Sequence, residues 1–118
     1  RCKNRKKPAL NIEIENFEQS TVVSPVGDVD TIESTKLREK LKPILASDVS
    51  RIVIDLTQVK YMDSSGIATL IEALQICKLH AKQFVICGLQ DGVRSIIELA
   101  RLDTIFIITK NREEALVA

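Results

Sequence analysis

Arg51-Ile-Val-Ile-Asp-Leu56, the linker Thr57–Met62, Asp63-Ser-Ser-Gly66 and then Ile67–Leu79 form the stretch that decides the fold. Arg51–Leu56 is an almost unbroken apolar run of strand length. Runs of that kind belong to strands covered on both faces, as in parallel sheets. Ile67–Leu79 is long enough for a helix and strongly apolar, with Leu70, Ile71 and Leu74 at core spacing. A buried strand, a polar linker and an apolar helix are the first two-thirds of a βαβ unit, and Gln83–Cys87, ended by Gly88, supplies its second strand.

The pattern continues on both sides. Downstream, Val93–Leu102 is amphipathic, with Val93, Ile96, Ile97 and Ala100 facing in and Arg94, Glu98 and Arg101 facing out. Thr104–Ile108 reads as a last strand. Asn111 caps a short final helix through Leu116, with Glu113 and Glu114 in its first turn. Upstream, Leu10–Glu15 alternates apolar and polar residues, the mark of a half-exposed strand, and Thr21–Val26 is a second strand rich in valine. The connector Asn16–Ser20 suits an antiparallel hairpin, which puts the first strand at a sheet edge.

Asp30-Thr-Ile-Glu33 reads as a capping box, in which Asp30 accepts from an amide three residues on and Glu33 reaches back. The helix behind it is expected to bury Ile32, Leu37, Leu41, Ile44 and Leu45. Pro43 lacks an amide donor and is expected to kink or end that helix about a turn before Ser47. The order ββαβαβαβα predicts a single α/β domain: a mixed, mostly parallel sheet with an N-terminal antiparallel hairpin and about four helices.

The net charge of +1 over 118 residues conceals an asymmetry. Residues 1–8 hold five of the 17 bases and no acid, so residues 9–118 carry 12 bases against 16 acids, a net of −4. The chain is therefore expected to divide into a basic, flexible lead, 1–8, and a folded domain, 9–118. Five charges in a tail would give DNA only weak, salt-dependent attraction, and one Tyr, three Phe and no Trp argue against a base-stacking surface. No apolar run approaches the roughly 18 residues of a membrane span, and no apolar region follows the basic start as it would in a signal peptide.

Cys2, Cys77 and Cys87 are odd in number, widely spaced and without a CxxC pair. That favours reduced thiols in a cytoplasmic protein over a disulfide framework, with Cys77 and Cys87 as small buried hydrophobes. The single histidine, His80, makes a metal site or a catalytic triad improbable on composition. His80 also lies about 24 Å along the helix from Ser64, at 1.5 Å per residue, so it does not serve that serine as a base.

In open α/β sheets, sites collect at the carboxyl ends of strands. Two loops rich in small polar residues fall there, Gly27-Asp-Val-Asp-Thr31 and Asp63-Ser-Ser-Gly66. Neither is a dinucleotide-binding glycine pattern or a P-loop, and no Lys follows the glycine to hold phosphates. No cofactor is expected. As plain structure, Asp63–Gly66 caps a helix and lets its first turn pack closely. An exposed serine at such a helix start also suits phosphorylation, because unpaired amides and the helix dipole tolerate negative charge there.

These residues resemble the STAS domains, and among them the bacterial anti-sigma factor antagonists. The resemblance spans roughly residues 9–117. It rests on Val53-Ile-Asp-Leu-Thr-Gln-Val-Lys-Tyr-Met-Asp-Ser-Ser-Gly66, on Gly27-Asp-Val-Asp30 and on Leu102-Asp-Thr-Ile-Phe106, in order and at family spacing. It implies that Ser64 is phosphorylated by a partner that is both anti-sigma factor and serine kinase. The unphosphorylated form binds that partner and frees the sigma factor, and a serine phosphatase restores it. The protein is then a switch without catalytic residues of its own.

The implied partner-binding set is Asp28, Asp30, Asp63, Ser64, Ser65 and Gly66, with Asp30 equally readable as a helix cap and Ser65 and Gly66 as structural. Two departures stand out: Arg101 replaces a common glycine before Leu102, and Lys78–Lys82 lacks the usual glycine between helix and strand. The basic start and the missing initial Met also suit a regulatory STAS module of an anion transporter or of a larger signalling assembly.

Overall fold

Residues 10–118 are described by the computed structural model, and they lay five strands side by side in chain order. β1 (Asn11–Asn16) pairs antiparallel with β2 (Ser20–Val26). β3 (Arg51–Asp55), β4 (Gln83–Cys87) and β5 (Ile107–Thr109) then follow in parallel. The helices are α1 (Thr31–Leu45), α2 (Ser64–Leu79), α3 (Asp91–Leu99) and α4 (Arg112–Leu116). The predicted class and element order stand, with β1 at the sheet edge. The basic lead 1–8 and Cys2 lie outside the described residues.

Alternation along the central strands sends side chains to two cores. Ile52, Ile54, Phe84 and Ile86 pack with Leu37, Leu41, Leu70, Leu74, Val93 and Ile97 of α1, α2 and α3. Val22, Val53, Val85 and Cys87 point the other way and are covered by Ala115 and Leu116 of α4. Both faces of β3 and β4 are thus apolar and shielded, which is why their sequences read as continuous hydrophobic runs.

The short α4 is held by Arg112. Its guanidinium donates to Asp55 Oδ2 at 3.1 and 3.0 Å, to Ser24 Oγ at 2.9 Å and to Glu15 Oε1 at 2.7 Å. One side chain thereby joins α4 to β1, β2 and β3. Asp55 is 8% exposed, and its Oδ1 accepts from the amide and hydroxyl of Thr57. Burial works to raise the Asp55 pKa, but the hydrogen bonds from Thr57 and Arg112 outweigh it and hold the carboxyl below its ordinary value. Burial pushes the Cys77 thiol up to about 11 and the Cys87 thiol up to about 12, so both stay protonated and inert.

Several local expectations need correction. Ile32 does not face the core; it is 78% exposed. The buried stripe of α1 is Ser34, Leu37, Leu41 and Leu45, and Ile32 stands two residues, about 200° around the helix, from Ser34. Pro43 does not end α1, which runs two residues further to Leu45. The helix then closes through Ala46 N donating to Lys42 O and Ser47 N to Ile44 O.

α2 starts at Ser64, three residues before the apolar periodicity begins. α3 stops at Leu99 instead of Leu102, leaving Ala100 exposed as its C-cap. Arg101 follows with φ 61°, a left-handed turn that ends the helix and opens a 3-10 turn at Leu102–Thr104. The last strand is consequently displaced from Thr104–Ile108 to Ile107–Thr109.

Candidate functional site

The two loops singled out above leave adjacent strands and are zipped together beyond the sheet. Gly27 N donates to Gln58 O at 3.1 Å, Val29 N to Tyr61 O at 3.0 Å and Asp63 N to Val29 O at 3.1 Å. Val29 and Met62 form a parallel bridge and are both fully buried. The bridge extends the β2–β3 pairing and delivers α1 and α2 to the same end of the domain, first turns level.

Each helix is capped by an aspartate. Asp30 Oδ1 accepts from the amides of Ile32 at 3.1 Å and Glu33 at 2.9 Å. The expected reach of Glu33 takes a longer course: its Oε1 accepts from Leu10 N at 3.3 Å, while Lys36 holds the Leu10 carbonyl at 3.0 Å. Asp63 Oδ1 accepts from Ser65 N at 3.0 Å, Gly66 N at 3.3 Å and Ser65 Oγ at 2.5 Å. Its Oδ2 accepts from Thr31 Oγ1 at 3.2 Å, a cross-link between the two helix starts. The Ser65 hydroxyl, followed by the Gly66 and Thr31 donors, keeps the Asp63 carboxyl below its ordinary pKa.

The two serines differ. Ser64, the first residue of α2, is exposed, and its hydroxyl makes no hydrogen bond among the described residues. Ser65 is half-buried and tied to Asp63. Gly66 is buried, and a Cβ there would lie 2.5 Å from Met62 Cγ and 2.9 Å from Val29 Cγ1. Glycine is what lets α2 start against the Val29–Met62 bridge.

All six sequence-derived positions, Asp28, Asp30, Asp63, Ser64, Ser65 and Gly66, therefore fall on the two joined loops and the helix starts they feed. Three neighbours escape the sequence pattern. Thr31 signals its part only by following the Asp30 cap. Ile32 reads as a core residue, and Tyr61, 47% exposed, precedes the bridge. Among the described residues, no helix is long and apolar enough to cross a membrane, and no cluster of three or more His, Cys, Asp or Glu side chains is placed to hold a metal ion.

The family model for the STAS domain matches residues 11–115. The chain belongs to the STAS domain family. An anti-sigma-B factor antagonist of Listeria monocytogenes is 31% identical to this STAS domain over 107 residues, 88% of this chain and 93% of the relative. A crystal structure of an anti-sigma factor antagonist from Mycobacterium paratuberculosis superposes with a TM-score of 0.85 at 23% identity, covering 92% of each chain. The Bacillus cell fate determinant SpoIIAA in its phosphorylated form superposes with a TM-score of 0.70 at 16% identity, covering 88% of this chain and 96% of that one. At those identities the two structures speak for the fold, and the Listeria relative speaks for the family.

Proposed function

We propose that this STAS domain is an anti-sigma factor antagonist acting in the cytoplasm, switched by phosphorylation of Ser64. The observation that carries the reading is the placement of Ser64: an exposed hydroxyl on the first residue of α2, beside loops held rigid by the Val29–Met62 bridge. The resemblance to the Listeria antagonist over nearly the whole chain supports the class of partner. In its unmodified state the domain binds an anti-sigma factor through the surface formed by Asp28, Asp30, Asp63, Ser64, Ser65 and Gly66, and the sigma factor is released.

The partner is also a serine kinase. The Ser64 oxygen attacks the γ-phosphorus of ATP, the bond to the bridging oxygen of ADP breaks, and the hydroxyl proton passes to a base of the kinase. The product adds about −1.5 to −2 charges beside Asp63. The helix tolerates this charge at its N-terminus, so the fold persists while the binding face, already acidic through Asp28, Asp30 and Asp63, becomes more negative and changes shape. A separate serine phosphatase hydrolyses the ester and resets the domain, which is a substrate of both enzymes and a catalyst of neither.

A pull-down with wild type, Ser64→Ala and Ser64→Asp tests this. Wild type and Ser64→Ala are expected to retain an ATP-binding anti-sigma factor that Ser64→Asp loses. The same partner set on all three baits would overturn the proposal.

A further inference from the structure

We propose that Asp63 selects between the two adjacent serines, holding Ser65 back so that Ser64 alone is the phosphoryl acceptor. This rests on the reading of the phosphorylation site given above and adds the residue that sets its specificity. Ser64 and Ser65 are neighbours on one helix start, and a kinase that approaches one hydroxyl comes within reach of the other. Sequence position does not separate them, but their surroundings do.

Asp63 carries four hydrogen bonds. Two come from the Ser65 and Gly66 amides, which fix the carboxylate to the backbone of α2. A third, from Thr31 Oγ1, fixes it to α1. The fourth is from Ser65 Oγ at 2.5 Å. A carboxylate anchored at three points does not swing away, so the Ser65 hydroxyl has a fixed acceptor and a fixed direction. A carboxylate already accepting four hydrogen bonds is also a poor base and does not prime Ser65 for attack.

Transfer to Ser65 would break the Oγ–H donation to Asp63 and leave a phosphate dianion in that contact. Like charges at this range repel. Transfer to Ser64 also adds charge beside Asp63, but it breaks no hydrogen bond to that carboxylate: the Ser64 hydroxyl is exposed and has no partner to lose among the described residues. The same side chain that caps α2 thus directs the chemistry one residue upstream.

The test maps phosphate by mass spectrometry after incubation with magnesium ATP and the purified anti-sigma factor kinase of the same organism. The substrates are wild type, Asp63→Asn and Asp63→Ala. Asparagine keeps a cap acceptor but not the charge, so the folded helix start is preserved in at least one variant. Wild type is expected to carry phosphate on Ser64, and Asp63→Ala to lower the Ser64:Ser65 ratio at least about tenfold, with Asp63→Asn between them.

A second arm needs no kinase. Ser64→Glu and Ser65→Glu are compared by thermal unfolding in the wild-type and Asp63→Asn backgrounds. Ser65→Glu is expected to lower Tm more than Ser64→Glu, and the excess is expected to shrink when Asp63 is neutral. Two results overturn the selector and leave the site reading intact. One is phosphate on Ser64 with an unchanged ratio in Asp63→Ala. The other is strict additivity of Ser65→Glu and Asp63→Asn in the unfolding cycle. Absence of phosphate from both serines of the wild type overturns both proposals.

Discussion

Thr31 Oγ1 donates to Asp63 Oδ2 at 3.2 Å, so the first residue of α1 is fastened to the cap of α2 across 32 positions of sequence. Asp63 is consequently shared between its own helix and its neighbour, and its ionisation reports on both. The Ser65 hydroxyl is the largest influence lowering its pKa, with the Gly66 amide and Thr31 hydroxyl contributing. Carboxyl-carbon NMR titration is expected to show the Asp63 pKa rising towards its ordinary value in Ser65→Ala and, by less, in Thr31→Val. An unchanged midpoint in both variants would show that these hydroxyls do not reach the carboxylate in solution.

Gly66→Ala is expected to destabilise the domain by about 1–3 kcal/mol, because its Cβ would meet Met62 and Val29 well inside van der Waals contact. Alanine is otherwise the better helix former by about 1 kcal/mol, so the sign of the change is diagnostic. Urea unfolding followed by circular dichroism measures it, and a stabilised Gly66→Ala protein would mean that the helix start is not packed against the bridge.

Arg112 and Asp55 form the lock under α4. Arg112→Met is expected to cost about 2–4 kcal/mol, since it leaves the largely buried Asp55 carboxylate short of its charged partner. The acid limb carries the same information. Asp55 has a folded-state pKa below its unfolded one, so its contribution is full above the unfolded value near 3.8 and is lost as pH falls through the folded value. Asp55→Asn is expected to flatten stability against pH below about 4. A wild-type slope retained in that variant would assign acid lability to other carboxylates.

Ala81 and Arg101 adopt left-handed backbone, with φ of 57° and 61°. Such conformations cost side-chain-bearing residues of order 1–3 kcal/mol, part of which glycine recovers against its larger unfolded-state entropy. Ala81→Gly and Arg101→Gly are each expected to stabilise by about 0.5–1 kcal/mol, read as a raised urea midpoint. Loss of stability in both would indicate that their side chains contribute packing that outweighs the strain.

These two positions also show how far the sequence could be read. The missing glycines are visible as departures at Arg101 and in Lys78–Lys82, yet periodicity carries the third helix through Arg101 to Leu102 because Val93, Ile96 and Ile97 march into an apolar Ala100 and Leu102. Backbone handedness leaves no trace in an apolar pattern. The strands of the centre are legible because both faces of Ile52–Ile54 and Phe84–Ile86 are covered. Ile32 misleads for the opposite reason: hydrophobicity counts it inward, while Ser34 takes the buried place at the helix start.

The site itself is legible as two polar loops at strand ends, since Gly27, Asp30, Asp63 and Gly66 are punctuation that strands and helices rarely carry inside them. Their union is not. The Val29–Met62 bridge and the Thr31–Asp63 hydrogen bond join residues more than 30 apart, and no local pattern encodes that pairing.

The strands occupy the sheet in the order in which they occur along the chain. No strand has to be threaded between two that have already paired, so the sheet is able to grow outward one neighbour at a time as the polypeptide leaves the ribosome, each addition closing a modest loop. Arg112 works on another scale. It reaches Glu15, 97 positions away, and can engage only when almost the whole chain is present. The hairpin at the start of the chain is thus tied directly to the helix at its end.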